Sequence, residues 1–454
     1  MPHQATAASD RPAPLGHGQA ARYGLLGLPL AFVALPLYVH LPHVYASRYG
    51  VPLATLGGVL LLARLFDAVT DPWLGRWGDH LQARSALPLL RTAAGAAALM
   101  LLGMALLFFP PWADPANTGP LLAVLMLTCL AYSLVAIAHQ SWGARLGGDE
   151  SQRTRIVAWR EGAGLLGVVL ASVLPAWLGW GPWLAVFALG LLLGMWAWWR
   201  GPRPELGVAS SSASDSASAC TPASSPAQRT RTGLLHPWSH APFRRLMAVF
   251  VLSGMASAVP ATLVLFFIQD RLEAAAYEPL FLASYFLAAA LSMPLWTRAV
   301  GRWGLARSWL LGMLLSVGVF AWAATLGAGD TLGFGAVCVL SGLALGSDLA
   351  LPSALLAGTI AERGDRGTRE GAYFGWWNLA AKLNLALAAG LALPLLEVLG
   401  YQPGTRSAGG LQALTLAYAV LPCALKLLAA LWLYRAFVRA PRAALALHPL
   451  KEHP

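Results

Sequence analysis

Twelve apolar runs of roughly 20 residues each succeed one another along this chain. They lie at about residues 23–47, 51–75, 86–110, 119–143, 155–178, 182–199, 243–268, 278–299, 306–327, 332–356, 371–396 and 411–434. A run of that length coiled as a helix reaches across the hydrocarbon core of a bilayer, about 30 Å. Lipid offers no partner for a backbone N–H or C=O, so each run has to close its hydrogen bonds within itself. The chain is therefore expected to be an all-α polytopic membrane protein of twelve transmembrane helices. Composition agrees: 57% of the 454 residues are hydrophobic and 11% charged, against about a quarter charged in soluble proteins. A net charge of +11 would suggest nucleic acid in a soluble protein. Here the arginines sit in loops, and no nucleic-acid partner is expected. Cys129, Cys220, Cys338 and Cys423 are scattered without metal-ligand spacing, so neither a metal cofactor nor a disulfide framework follows.

The arginines set the orientation. Loops after even-numbered runs carry Arg76, Arg84 and Arg91, then Arg145, Arg153 and Arg155, and later Arg298, Arg302, Arg307, Arg363, Arg366 and Arg369. Loops after odd-numbered runs offer Arg48, Arg271 and Arg406. The positive-inside rule then places both termini in the cytoplasm, in a bacterial inner membrane. Residues 1–21 lack the apolar centre of a signal peptide and read as a disordered cytoplasmic tail, and residues 439–454 as a second cytoplasmic tail. Residues 201–240 are rich in Ser, Ala and Pro and read as a cytoplasmic linker between six-helix bundles at 22–200 and 241–438. An internal echo supports the halving. Gly75-Arg76-Trp77-Gly78 with Ala83-Arg84-Ser85 is matched by Gly301-Arg302-Trp303-Gly304 with Ala306-Arg307-Ser308. Two repeated six-helix halves are the major facilitator architecture, with the substrate site between them near mid-membrane.

Within the second run stand Arg64, Asp67 and Asp71, spaced by three and four and so on one helical face. A charge at mid-membrane costs roughly 2.5–3.5 kcal/mol on insertion scales and rarely faces lipid. An Arg64–Asp67 pair would be purely structural, and it leaves Asp71 unexplained. A cation or proton site accounts for both carboxylates. The stretch Ala63-Arg64-Leu65-Phe66-Asp67-Ala68-Val69-Thr70-Asp71-Pro72 closely resembles the second-helix signature of the glycoside–pentoside–hexuronide:cation symporters, the melibiose permease-like branch of the major facilitator superfamily. Tyr132-Ser133-Leu134-Val135 followed by Glu150-Ser151-Gln152-Arg153 and Trp159-Arg160 carries the resemblance on. So does Arg369-Glu370-Gly371-Ala372-Tyr373-Phe374-Gly375-Trp376-Trp377-Asn378 with Lys382. The resemblance implies a cation site of Asp67, Asp71, Thr70 and Ser133 beside Arg64, holding H⁺ or Na⁺ as coupling ion. Asp67 and Asp71 become metal ligands only if the ion is Na⁺. It also implies substrate contacts from Arg160 and Lys382. The family's acidic sugar-binding position on the fourth helix falls at Ala136, and Leu28-Pro29-Leu30-Ala31 occupies the region of the acidic residue on the first. Those departures argue against melibiose-like specificity and leave the cation pair intact.

Other polar residues within the apolar runs carry two readings each. Asp348 either serves substrate or pairs with Lys382 across the tenth and eleventh runs. Asn378 and Lys382 are four apart and, with Trp377 and secondarily Trp376, form a second polar face read as cavity lining. His139 beside Gln140 either shuttles protons or packs, and the absence of an acidic neighbour favours packing. Arg160 and Glu161 are adjacent, so they are not expected to pair; Glu161 is assigned a cytoplasmic arginine. Trp196, Trp198 and Trp199 fall at a span end and read as interface anchors. Pro29, Pro36 and Pro42 predict a bent first helix.

The expectation is a monomeric, cation-coupled symporter of a small organic solute, most simply a sugar or glycoside. A non-sugar or lipid-like solute is the alternative. A membrane prenyltransferase is more remote: Asp67-x-x-x-Asp71 resembles one of its diphosphate motifs, but a facing acidic cluster is missing. No signalling domain and no Gly-x-x-x-x-Gly-Lys-Ser/Thr loop appears, so an enzyme is not expected and a gradient has to supply the energy. A reporter fused at the C-terminus is expected to be active only if it works in the cytoplasm. Labelling of a cysteine placed in the central linker from outside intact cells would overturn that topology.

Overall fold

The computed structural model describes residues 15–112, 118–204, 233–401, 404 and 407–439. Of the disordered tail expected over 1–21, residues 17–21 are helical, whereas residues 1–14 lie outside the described residues, as do most of the central linker and the end of the chain. Arg406 and Cys220 do too.

Every regular element is helical among the described residues. The first half comprises α1 (His17–Gly24), α2 (Gly27–Leu35), α3 (Leu41–Tyr49), α4 (Leu53–Arg84), α5 (Ala86–Phe108), α6 (Gly119–Leu146), α7 (Glu150–Leu178) and α8 (Trp180–Trp199). The second comprises α9 (Ala241–Phe266), α10 (Glu278–Trp303), α11 (Leu305–Ala323), α12 (Thr331–Glu362), α13 (Glu370–Val398), α14 (Ala408–Thr415) and α15 (Leu421–Leu433). The first apolar run is broken as its prolines predict: a wider five-residue turn, Pro36–His40, joins α2 to α3. Proline lacks the N–H that a regular turn would use, and the wider turn absorbs the loss. Wider turns also follow α9 (Phe267–Arg271) and separate α14 from α15 (Leu416–Val420).

Eight helices among the described residues are long and apolar enough to cross a membrane, a figure compatible with the twelve expected spans. The long helices outside that set are α4, α7 and α13, and each carries ionised residues mid-course: Asp67 and Asp71, Arg160 and Glu161, and Lys382. In α4 the usual amphipathic arrangement is inverted. Asp67 and Asp71 are 1% and 0% exposed, whereas Leu62, Val69 and Trp73 are more than half exposed. Only a lipid surround makes that arrangement favourable.

One core lies within the first half around Phe32, Trp142, Trp183 and Trp198. A second is shared: Ile137, Val157 and Leu165 pack with Met293, Trp296, Tyr373 and Trp377. A third lies within the second half around Phe267, Phe334 and Tyr418. The shared core forms where α4 lies along α13 and α7 along α10. After the linker, the short turn His236–Ser239 is pinned to the arginine-rich end of the second half. His236 Nε2 meets Asp365 Oδ2 at 3.0 Å, and Trp376 Nε1 donates to the carbonyl of Leu234 at 3.1 Å. Burial pushes the His236 imidazole below its ordinary value, against the pull of the Asp365 hydrogen bond.

The α4–α13 crossing is backbone against backbone. A Cβ on Gly371 would sit 2.2 Å from the Gly75 carbonyl oxygen, and one on Gly375 would sit 2.6 Å from that of Asp71. Small residues on one stripe allow this approach, the usual device for helix packing in lipid. Gly371→Val is therefore expected to prise the halves apart at the arginine-rich end. Ser353→Cys, in a gap between the halves with Tyr23 and Arg160, reports it. Maleimide labelling in inside-out vesicles is expected to rise several-fold on adding Gly371→Val. Unchanged labelling would show that this crossing does not hold the halves shut.

Candidate functional site

The polar groups follow one seam between α4 and α13. Spacings of four along α4 put Asp67, Asp71, Gly75 and Asp79 on one stripe, and all four are buried. Facing them in reverse order on α13 are Lys382, Gly375 and Gly371.

At one level of the seam, Lys382 inserts its ammonium between the paired carboxylates. Nζ lies 2.8 Å from Asp67 Oδ2 and 2.7 Å from Asp71 Oδ2, and it donates to Asp71 Oδ1 at 2.9 Å. Ser133 on α6 closes the cluster. Its hydroxyl donates to Asp67 Oδ1 at 2.5 Å and accepts from Lys382 Nζ at 2.8 Å. Charge-assisted bonds of this kind are roughly twice as strong as neutral ones. The structure thus brings Asp67, Asp71, Ser133 and Lys382 together. Thr70 is turned along its own helix, with Oγ1 donating to the carbonyl of Asp67 at 3.0 Å. Arg64 is partly exposed one turn before Asp67.

A second polar level also joins the halves. Asn378 Nδ2 donates to Gln140 Oε1 at 2.8 Å, and Gln140 Nε2 to Asn378 Oδ1 at 3.4 Å. Trp377 stacks on Phe250 with ring centroids 3.7 Å apart. Its face is therefore already covered. At the arginine-rich end, Asp79 accepts the N–H groups of Gly371 and Ala372, each at 2.8 Å, in the first turn of α13. Those donors have no partner within their own helix and favour a negative charge. Arg145 lies between Asp79 (Nη2–Oδ1 2.6 Å) and Glu370 (Nε–Oε2 2.9 Å). One network of α4, α6 and α13 thus seals that end.

Several sequence expectations change. Asp348 does not pair with Lys382: its partner is Lys426 on α15, with Trp309 Nε1 donating to Oδ1 at 2.9 Å. Lys382 spends its charge on α4 instead, so the ion that meets Asp67 and Asp71 comes from the other half of the chain. Arg160 and Glu161 do pair, with Nη2–Oε1 2.5 Å and Nε–Oε1 3.0 Å. Adjacent Cβ atoms diverge, but two long side chains bend back to meet. Glu161 thereby finds its arginine next door rather than in a loop. His139 is completely buried, bonded through Nε2 to the Tyr23 carbonyl at 2.8 Å and stacked on that ring. That is the packing arrangement. Gln140 and Arg160 share a gap of about 10 Å³, room for one water. Lys426 was overlooked, although a lysine inside an apolar run is itself a signal. Arg145 was read as a loop charge because it stands at a span end, and neither Asp79 nor Glu370 was given a partner.

Residues 22–438 match the MFS/sugar transport protein family. The chain belongs to that family. Its members are transporters, not enzymes, and the chain is an integral membrane protein. The uncharacterized symporter YjmB of Bacillus subtilis (strain 168) is 30% identical over 143 residues, 29% of this chain and 30% of that protein. The uncharacterized symporter sll1374 of Synechocystis sp. (strain ATCC 27184 / PCC 6803 / Kazusa) is 25% identical over 158 residues, 34% of this chain and 29% of that protein. The alignments thus span about three tenths of either relative's length. Both names are consistent with a melibiose permease-like symporter family. The fold is shared with a bacterial homologue of the iron transporter ferroportin in an outward-facing state, at TM-score 0.63 and 16% identity over 94% of this chain and 100% of that one. It is shared too with the major facilitator transporter FucP in its outward conformation, at TM-score 0.60 and 13% identity over 91% and 97%.

Breaking a buried ion pair by removing one partner costs about 3–5 kcal/mol, whereas removing both can be nearly neutral. Lys382→Met is therefore expected to lower the thermal midpoint of the purified protein by several degrees, and Lys382→Met with Asp71→Asn to recover much of it. Equal losses in single and double variants would show that the clamp is not energetically coupled.

Proposed function

We propose that this chain is a cation-coupled symporter that carries a small organic solute, a sugar or glycoside, across a bacterial inner membrane. We take it to act as a monomer with both termini in the cytoplasm. The observation that carries this reading is the Lys382 ammonium between Asp67 and Asp71. Two carboxylates one turn apart in a low dielectric need positive charge, and here a tethered cation from the opposite half supplies it. A mobile cation arriving at the same carboxylates competes with Lys382. Loading the ion thereby loosens a bond between the halves, which is what coupling to alternating access requires.

The proton fits this geometry better than sodium. A proton needs one carboxylate oxygen. Sodium needs oxygens on several sides, and Thr70 is committed to its own backbone while Lys382 occupies the centre. For the solute, Arg160 with Glu161 and Gln140 with Asn378 offer paired donors and acceptors at the seam. Glu161 supplies a carboxylate that the fourth helix lacks at Ala136. The family description and the symporter names of the relatives support this class of cargo. Closure at the arginine-rich end, taken as cytoplasmic, corresponds to an outward-facing form.

Asp67→Asn and Asp71→Asn are each expected to abolish solute accumulation in vesicles under an imposed pH gradient, while exchange survives in one of them. A sodium gradient at fixed pH is expected to drive no accumulation. Accumulation by both variants equal to the wild type would refute coupling through this pair. Accumulation driven by sodium alone would reassign the ion.

A further inference from the structure

A cavity of about 130 Å³ lies inside the second half, between α9, α10, α11, α12 and the turn Leu416–Val420. None of Asp67, Asp71, Ser133 or Lys382 lines it. Its walls are apolar and aromatic, with Val264, Phe281, Leu282, Phe286 and Phe320 foremost. An apolar cavity of about 150 Å³ accommodates benzene, so this one has room for a single six-membered ring.

Polar groups break the wall at chosen points. Tyr285, Ser316 and Tyr418 line the cavity, and no hydrogen bond joins their hydroxyls to a described residue. Three hydroxyls set among aromatic walls can orient a bound ring through its polar group, the usual make-up of a small-molecule site. Asp348 lines the same cavity, and its charge is already met in place. Lys426 pairs with it, Trp309 donates at 2.9 Å, and Ser257 donates at 3.3 Å. A charged ligand would bring an uncompensated charge into this environment, whereas a neutral one would not.

We infer that this cavity is a binding site, separate from the α4–α13 seam, for a neutral single-ring molecule bearing a hydroxyl: a phenol or aryl alcohol. The ring fills the space between the phenylalanines. Its hydroxyl exchanges hydrogen bonds with Tyr285, Ser316 or Tyr418. The inference does not depend on which ion or solute the seam handles.

The test is ¹⁹F NMR of 4-fluorophenol against the purified full chain in nanodiscs, with fluorobenzene as the comparison. Saturable binding of 4-fluorophenol is expected, with fluorobenzene weaker. Tyr285→Phe with Tyr418→Phe preserves the shape and removes two hydroxyls, and is expected to weaken 4-fluorophenol about tenfold. Ser341→Leu, which adds bulk at the lining, is expected to abolish binding. The tyrosine pair decides the matter if Ser341→Leu fails to fold. No saturable binding to the wild type would mean a cavity for water only and would overturn the inference. So would undiminished binding to the tyrosine double variant.

Discussion

Lys382 placed between Asp67 and Asp71 is the interaction on which the arrangement of the two halves depends. Charges in a lipid-surrounded protein are tolerable only when neutralised in place, and neither helix can do this alone. The carboxylates belong to α4 and the ammonium to α13, so docking the halves is what brings positive charge to the aspartates. Ser133 from α6 fixes the geometry by bonding both an aspartate and the lysine.

The rest of the seam follows from the same helical stripe. One turn on from Asp71, Gly75 lets the backbones touch, and one turn further Asp79 accepts the free N–H groups of α13. Arg145 binds Asp79 and Glu370 together, so the charges at this end are also satisfied across the halves. Both ends of the stripe are therefore ionic and the middle is steric. Ionic contacts can be exchanged for water or a mobile ion; glycine contacts simply part.

The second buried pair, Lys426 with Asp348, differs in kind. It is internal to the second half, bracing α12 against α15, with α9 and α11 contributing Ser253, Ser257 and Trp309. No movement of one half against the other breaks it. The two lysines thus differ in reach: Lys382 joins α13 to α4 of the other half, and Lys426 joins α15 to α12 within its own.

Much of this was legible in the chain. Apolar runs of spanning length dictate helices because lipid forbids unpaired backbone, and the inward stripe of Asp67 and Asp71 follows from a spacing of four. What spacing cannot reveal is which helix stands opposite. Asp348 and Lys382 looked like neighbours because they lie on consecutive spans, yet α12 and α13 turn their charges to different partners. Arg160 and Glu161 looked divergent from their backbone positions, yet the reach of two long side chains brought them together. The sequence by itself determined the solvent, the helices and which residues had to point inward, because those follow from local hydrogen bonding and periodicity. Only the tertiary structure decided which lysine serves which aspartate, because that depends on contacts between residues as far as 311 positions apart in the chain.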